Sequence, residues 1–320
     1  MFHLQIDDLI EGIRNGDRKK IARAITLVED PSLSQQSRDL MSRLWPLTGR
    51  ARVIGITGPP GVGKSTLIGA MAERLSQRGR AVAILAIDAS SPFSGGTLLG
   101  NRIRMQPVLA KSGVYMRSLA NRGVNGGMAR SAWAASSILD VAGNDYIIIE
   151  TVGAGQADLD VVNIADTVCV VLAPGLGDQI QAIKSGIMEI GDIFVVNKKD
   201  REGSYMAIKD IEDALAMTPR SGWNPPVVAT EALSGDGIDE LLERIEEHRK
   251  YFSSSSDEKA RKFRNQVRVA MEDELRAIVG GILSSKEEYI ERMYGQSDPY
   301  SVARELIEDA LKNSVKELQR

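Results

Sequence analysis

Gly58-Pro59-Pro60-Gly61-Val62-Gly63-Lys64-Ser65-Thr66 decides the fold of this chain. The stretch fits Gly-x-x-x-x-Gly-Lys-[Ser/Thr], the pattern of a phosphate-binding loop, with every fixed position present. Its flanks agree. Arg52-Val-Ile-Gly-Ile-Thr57 is a short, β-branched apolar run that predicts a buried strand. Thr66-Leu-Ile-Gly-Ala-Met-Ala-Glu-Arg-Leu75 has helical apolar spacing. Strand, glycine loop and helix in that order aim backbone N–H groups and the positive end of the helix dipole at an anion. Glycine lets the backbone wrap that anion with no Cβ in the way. Lys64 is then placed to reach the β- and γ-phosphates of a nucleotide, and the Ser65 hydroxyl to ligate Mg2+. Gly58, Pro59, Gly61, Val62, Gly63 and Thr66 complete the expected cradle.

Composition sets the frame. The 320 residues hold one large α/β domain with helical extensions, or two domains. Hydrophobic content of 43% and charged content of 26% are those of a globular chain, and a net charge of −3 offers no reason to expect nucleic acid or an anionic membrane as partner. One cysteine, Cys169, excludes an intramolecular disulfide and fits a reducing compartment. The N-terminus carries no basic region followed by an apolar core, and the longest apolar runs are too short to span a bilayer. The expectation is a cytoplasmic protein.

Further along, Ala81-Val-Ala-Ile-Leu-Ala-Ile87 is a second continuous apolar strand, as a parallel sheet covered on both faces requires. It ends at Asp88, a carboxylate well placed beside a phosphate loop to hold Mg2+ directly or through water, or else to cap the helix that follows. Arg102 and Arg104 come next, either against phosphate or on the surface. Tyr115 to Gly127 has the glycines and polar residues of a mobile loop. Tyr146-Ile-Ile-Ile149 is another buried strand and ends in Glu150-Thr-Val-Gly153. An acid followed three residues later by glycine closes such sites over the γ-phosphate: the acid orients Mg2+ or its water shell, and the glycine N–H senses the phosphate. Gln156 lies at an unusual offset for positioning water. Asp166–Leu172 is a further strand that buries Cys169 as an inert thiol.

Asp192-Ile-Phe-Val-Val196 leads into Asn197-Lys-Lys-Asp200. Asn-Lys-x-Asp after a strand selects guanine. The Asp200 carboxylate accepts from guanine N1–H and from its exocyclic amine, whereas adenine, with no donor at N1, leaves Asp200 unpaired. Asn197 supports the loop and the base edge, and the Lys198 stem lies on the ring. Val227–Leu233 is the last strand and loop, in which the Ala232 N–H faces the guanine O6; the closing helix starts near Gly235. In this order the motifs predict a GTPase that binds GTP and GDP with Mg2+. The fold class is α/β: a mostly parallel sheet of the P-loop NTPase type, covered by helices on both faces, with helical N- and C-terminal extensions. The expected divisions are 1–48, a helical extension; 49–252, the nucleotide domain; and 253–320, a helical dimerisation arm.

Asp88-x-Ser-Ser-Pro-Phe-Ser-Gly-Gly, Glu150-Thr-Val-Gly-Ala-Gly-Gln and Gly177-Asp-Gln-Ile-Gln-Ala-Ile-Lys-Ser-Gly-Ile-Met-Glu189, followed by Asn-Lys-x-Asp, resemble the MeaB/ArgK GTPases of the SIMIBI class. The resemblance runs from about residue 5 to the C-terminus and is densest over 53–200. It implies a G-protein chaperone for an adenosylcobalamin-dependent acyl-CoA mutase of the methylmalonyl-CoA type, which gates cofactor loading and protects or reactivates the mutase. It assigns Lys64 and Ser65 to phosphate and Mg2+, Asp88 and Glu150 to the magnesium and catalytic region, and Asn197, Lys198 and Asp200 to the base. Loop 175–185 becomes a partner switch, with Lys184 as a contact. There are two departures. Asn101 stands where the family usually has Asp, so a carboxylate near Mg2+ is replaced by an amide that can ligate but cannot act as a base. The loop 117–127 also differs from the family's usual version.

At the C-terminal end, Ser253–Ser256 breaks the chain, and 257–283 reads as one long helix with Phe263, Val267, Met271, Leu275 and Ile278 on one stripe. Such a stripe must be covered, by the chain itself or by a second copy; the resemblance implies an α-helical dimer arm, and a homodimer is expected. Two other classes compete for function. A nickel-loading metallochaperone GTPase needs clustered metal ligands, but His3, His248 and Cys169 are scattered. An ATP-dependent kinase conflicts with Asn-Lys-x-Asp.

Overall fold

The computed structural model describes residues 6–30, 33–89, 113–121, 127–151, 164–175, 187–217 and 222–318. Among them, seven strands form one sheet: β1 (Arg52–Thr57), β2 (Val82–Ala89), β3 (Tyr115–Asn121), β4 (Tyr146–Glu150), β5 (Thr167–Leu172), β6 (Ile193–Asn197) and β7 (Val227–Thr230). Every pairing is parallel, in the order β3-β2-β4-β1-β5-β6-β7. β4, β5 and β6 are buried along their whole length, which is why they read as unbroken apolar runs rather than alternating ones.

Alternation still sorts the side chains between two layers. On one face, Cys169, Val171, Ile193 and Val195 join Ile54, Ile56 and Ile148 under Leu67, Ile68 and Met71 of α4 (Lys64–Gln77) and Leu241, Leu242 and Ile245 of the helix Ile238–Ser254. On the other, Val170, Leu172, Phe194 and Val196 pack on Ala207 and Ile211 of the helix Ser204–Met217. Phe194 is fully buried, and truncating such a ring to alanine costs about 3–5 kcal/mol. Burial also pushes the Cys169 thiol well above the usual cysteine range, so the inert thiol expected within β5 is what the fold contains.

Helices α1 (Ile6–Arg14), α2 (Arg18–Glu29) and α3 (Ser34–Leu44) precede β1. Asp17 caps α2 by accepting from the Lys19 N–H at 2.8 Å. Asp140, near the end of α5 (Gly127–Val141), accepts from the N–H groups of Gly49 at 2.5 Å and Ala51 at 2.8 Å, which fixes the chain where it enters β1.

The segment from Tyr115, expected as a mobile loop, contains β3 over Tyr115–Asn121, in register with β2 from Ala83↔Tyr115 to Ala89↔Asn121. Its polar residues suit an edge strand. Arg117 turns to Glu29 at 2.6 Å and Thr26 at 3.0 Å, so α2 supplies the partners that a buried strand could not.

The chain divides into two compact units, Met1–Gln266 and Val267–Arg320. The long helix Ser256–Ser285 spans the division and is followed by the short helix Glu287–Met293 and by Pro299–Leu318. Asp298 caps the last of these, accepting from Tyr300 N–H at 3.0 Å and Ser301 N–H at 3.1 Å. The stripe on Ser256–Ser285 faces solvent in the single chain: Phe263, Met271, Leu275 and Ile278 are 55–60% exposed. No helix among the described residues is long and apolar enough to cross a membrane.

Candidate nucleotide site

The site lies at the carboxyl edge of the sheet, where β1, β4, β6 and β7 end. β1 is central, and its last residues register against β4 as Ile56↔Glu150 and against β5 as Thr57↔Val170. The loop leaving β1 admits glycine alone at two points. Gly58 has φ of 137°, and a Cβ there would overlap the Val171 carbonyl oxygen. Gly63 has φ of 97° and caps α4, and a Cβ there would come 2.5 Å from Asn197 Nδ2.

Lys64 opens α4 and is 7% exposed. Its Nζ donates to the carbonyls of Gly58 at 2.6 Å and Pro59 at 3.1 Å, so the ammonium is folded back over the loop. Ser65 donates its hydroxyl to Glu150 Oε1 at 2.6 Å, and Glu150 is 3% exposed at the tip of β4. Two hard oxygen donors thus meet beside the first turn of a helix. Among the described residues no group of three or more His, Cys, Asp and Glu is placed to hold a metal.

The second loop is stitched to the first. Asn197, at the end of β6, donates from Nδ2 to Val62 O at 2.9 Å, and its Oδ1 accepts from Thr230 Oγ1 at 3.2 Å and Ala232 N–H at 3.1 Å. Lys198 takes a left-handed backbone, φ 61°, and its Nζ donates to Gly61 O at 2.6 Å. Lys199 donates its N–H to Thr230 O at 3.0 Å and pairs with Asp236 at 2.5 Å, which holds the Asp236 carboxyl below the usual range. Asp200 is exposed on the same loop, and Thr66 follows Ser65 in α4.

These contacts join Gly58, Pro59, Gly61, Val62, Gly63, Lys64, Ser65, Glu150, Asn197, Lys198 and Ala232 into one rim, with Thr66 and Asp200 beside it in the chain. The Ala232 N–H, expected to face a base oxygen, donates to Asn197 Oδ1, a buried amide oxygen that needs donors of its own. The backbone of Asp88 lies in β2, but its side chain is outside what the structure describes, as are Asn101, Arg102, Arg104, Gly153, Gln156, His3 and Lys184. Sequence reasoning missed Thr57 and Thr151, both fully buried, with hydroxyls 3.1 Å apart at the ends of β1 and β4. The available signal was a hydroxyl at the inner end of an otherwise apolar strand.

Residues 21–284 match the family described as methylmalonyl-CoA mutase-associated GTPase MeaB. This chain belongs to the MeaB family of GTPases. It is 43% identical to a putative GTPase of Pyrococcus abyssi, over 96% of this chain and 97% of that protein. It is 40% identical to a probable GTPase of Mycobacterium tuberculosis, over 82% of this chain and 80% of the relative. A crystal structure titled LAO/AO transport system kinase superposes with a TM-score of 0.73 at 25% identity, covering 96% of this chain and 98% of that one. As a MeaB-type GTPase the chain binds guanine nucleotide and hydrolyses GTP, and the matched region contains the whole rim described above.

Proposed function

We propose that the rim holds GTP with Mg2+ and that hydrolysis is used to assist an adenosylcobalamin-dependent acyl-CoA mutase of the methylmalonyl-CoA type. The observation that carries the nucleotide half is the Ser65–Glu150 contact at 2.6 Å beside Lys64, on a loop tied to Asn197 and Lys198.

Magnesium fits this donor set. The ion prefers oxygen ligands, keeps several waters, and is usually held by one or two carboxylates or hydroxyls together with substrate phosphates. Ser65, Glu150 and Asp88 would hold it, and it would neutralise charge on the β- and γ-phosphate oxygens. Lys64 exchanges the carbonyls of Gly58 and Pro59 for phosphate oxygens. The first N–H groups of α4 face the same anion. Glu150 and Asn101 order water near the γ-phosphate, and Gly153 senses it. Asp200 accepts from guanine N1–H and its amine, Lys198 covers the ring, and Asn197 and Ala232 hold the base loop rigid.

The chaperone half is supported by the family description, which names association with methylmalonyl-CoA mutase. Segment 253–320 serves as a homodimer arm, supported by the exposed stripe from Phe263 to Ile278. Met271→Lys puts a charge in that stripe and is expected to give monomers by sedimentation velocity with GTP affinity unchanged; a persistent dimer removes this role from the helix. The functional test is GTP turnover alone and with candidate adenosylcobalamin-dependent mutases. Stimulation by one of them is expected; none by any would leave a GTPase without this partner.

A further inference from the structure

We propose that Thr57 and Thr151 are a positioning pair that holds Glu150 against the Ser65 hydroxyl. The inference rests on the magnesium reading above and assigns the fold's means of keeping that pocket formed.

The pair occupies an improbable place. Thr57 is 0% and Thr151 is 1% exposed, beneath strands whose neighbouring residues are Ile54, Ile56 and Ile147 to Ile149. A hydroxyl buried there costs about 1–3 kcal/mol unless it is hydrogen-bonded. Valine would fill nearly the same shape without that penalty, so the hydroxyls supply something a methyl group cannot.

That something is a cross-tie one residue beyond the regular strand pairing. β4 ends at Glu150, yet the Thr151 N–H still donates to Ile56 O at 3.1 Å. The Thr151 hydroxyl lies 3.1 Å from that of Thr57 and 3.5 Å from Ile56 O. Thr57 is the residue before Gly58, whose carbonyl accepts from Lys64 Nζ at 2.6 Å. Thr151 is the residue after Glu150, which accepts from Ser65. The contacts close a ring: Lys64 to Gly58, Thr57 to Thr151, Glu150 to Ser65, and back along α4 to Lys64. Within the ring, the distance between the serine hydroxyl and the carboxylate is set by the two strand ends rather than by a bound ion.

The test reads magnesium coupling in the full-length chain. A fluorescent GDP analogue is titrated at graded Mg2+ concentrations and in EDTA, alongside thermal melting. Thr151→Val is expected to raise the Mg2+ needed for half-maximal tightening by about three- to tenfold, the equivalent of one net hydrogen bond. Affinity in EDTA should stay within about twofold, since the Thr151 hydroxyl lies against Thr57 and Ile56 O. Thr57→Val approaches the contact from the other side and should give the same shift. Thr151→Ser should restore the parent requirement, and the double valine variant should add little to either single one.

A lower melting temperature with an unchanged Mg2+ requirement would reduce the pair to ordinary strand packing and overturn the proposal, as would a shift from one threonine alone. A parent chain whose GDP affinity ignores Mg2+ would overturn the magnesium reading itself, and the pair with it.

Discussion

The phosphate end and the base end of the rim solve opposite problems. At the phosphate end the ionic groups are occupied by the loop's own atoms: Lys64 by the carbonyls of Gly58 and Pro59, and Glu150 by Ser65. Ligand binding there is an exchange of partners, with charge already concentrated in a buried place. At the base end the buried group is an amide, Asn197, whose hydrogen bonds go to Val62, Thr230 and Ala232. The carboxylate of Asp200 stands exposed on the same loop. That half is preorganised, and on the proposed reading discrimination rests on Asp200, a residue outside the framework. The difference teaches that affinity and selectivity are separable here, although the two loops touch.

The most severe test of that separation is Asp200→Asn. Two hydrogen bonds to a charged acceptor, each worth about 1.5–3 kcal/mol, disappear, so GTP affinity should fall by about 10²- to 10⁴-fold. Xanthosine triphosphate, which presents an acceptor where guanine has its amine, should gain, and its turnover should approach that of GTP on the parent. Retained GTP selectivity in a competition titration would break the base-end assignment.

Lys64→Ala comes next. It should weaken GTP by about 10- to 150-fold, through one charge-assisted contact. Combined with Asp200→Asn, it should weaken xanthosine triphosphate by the same factor, because it acts on phosphate alone. An unchanged GTP dissociation constant in a correctly folded variant would remove Lys64 from the site.

Asn197→Ala gives the most diagnostic effect, because it falls on stability rather than on one class of base. It strips the partners from Val62 O, the Thr230 hydroxyl and the Ala232 N–H, and is expected to lower stability by about 2–4 kcal/mol. Binding should weaken for guanine and xanthine nucleotides alike. Unchanged thermal melting with lost guanine selectivity would make Asn197 a base-reading residue rather than a strut.

Most of the sheet was legible in the sequence because its strands are buried on both faces. β1, β4, β5 and β6 are largely apolar runs, and β1, β4 and β6 end at Thr57, Glu150 and Asn197. β3 escaped because Arg117, Ser118 and Asn121 resemble loop residues until α2 is seen to satisfy Arg117. The long stripe-bearing helix was legible from its spacing, whereas the seven residues Glu287–Met293 are too few to show periodicity. At the site, residue types and spacing identified the loops but not what joins them. Asn197 and Val62 are 135 positions apart, as Thr57 and Thr151 are 94, and nothing local records such a contact. The direction of the Ala232 N–H was illegible for the same reason, since it depends on a competing acceptor delivered by another strand.

The most direct measurement is the initial rate of phosphate release from GTP and from ATP by the full-length chain, with Mg2+ and with EDTA. Turnover of GTP that EDTA abolishes, with ATP neither hydrolysed nor competing, is the predicted result. Equal or faster turnover of ATP, or GTP turnover that survives EDTA, would contradict the site as described.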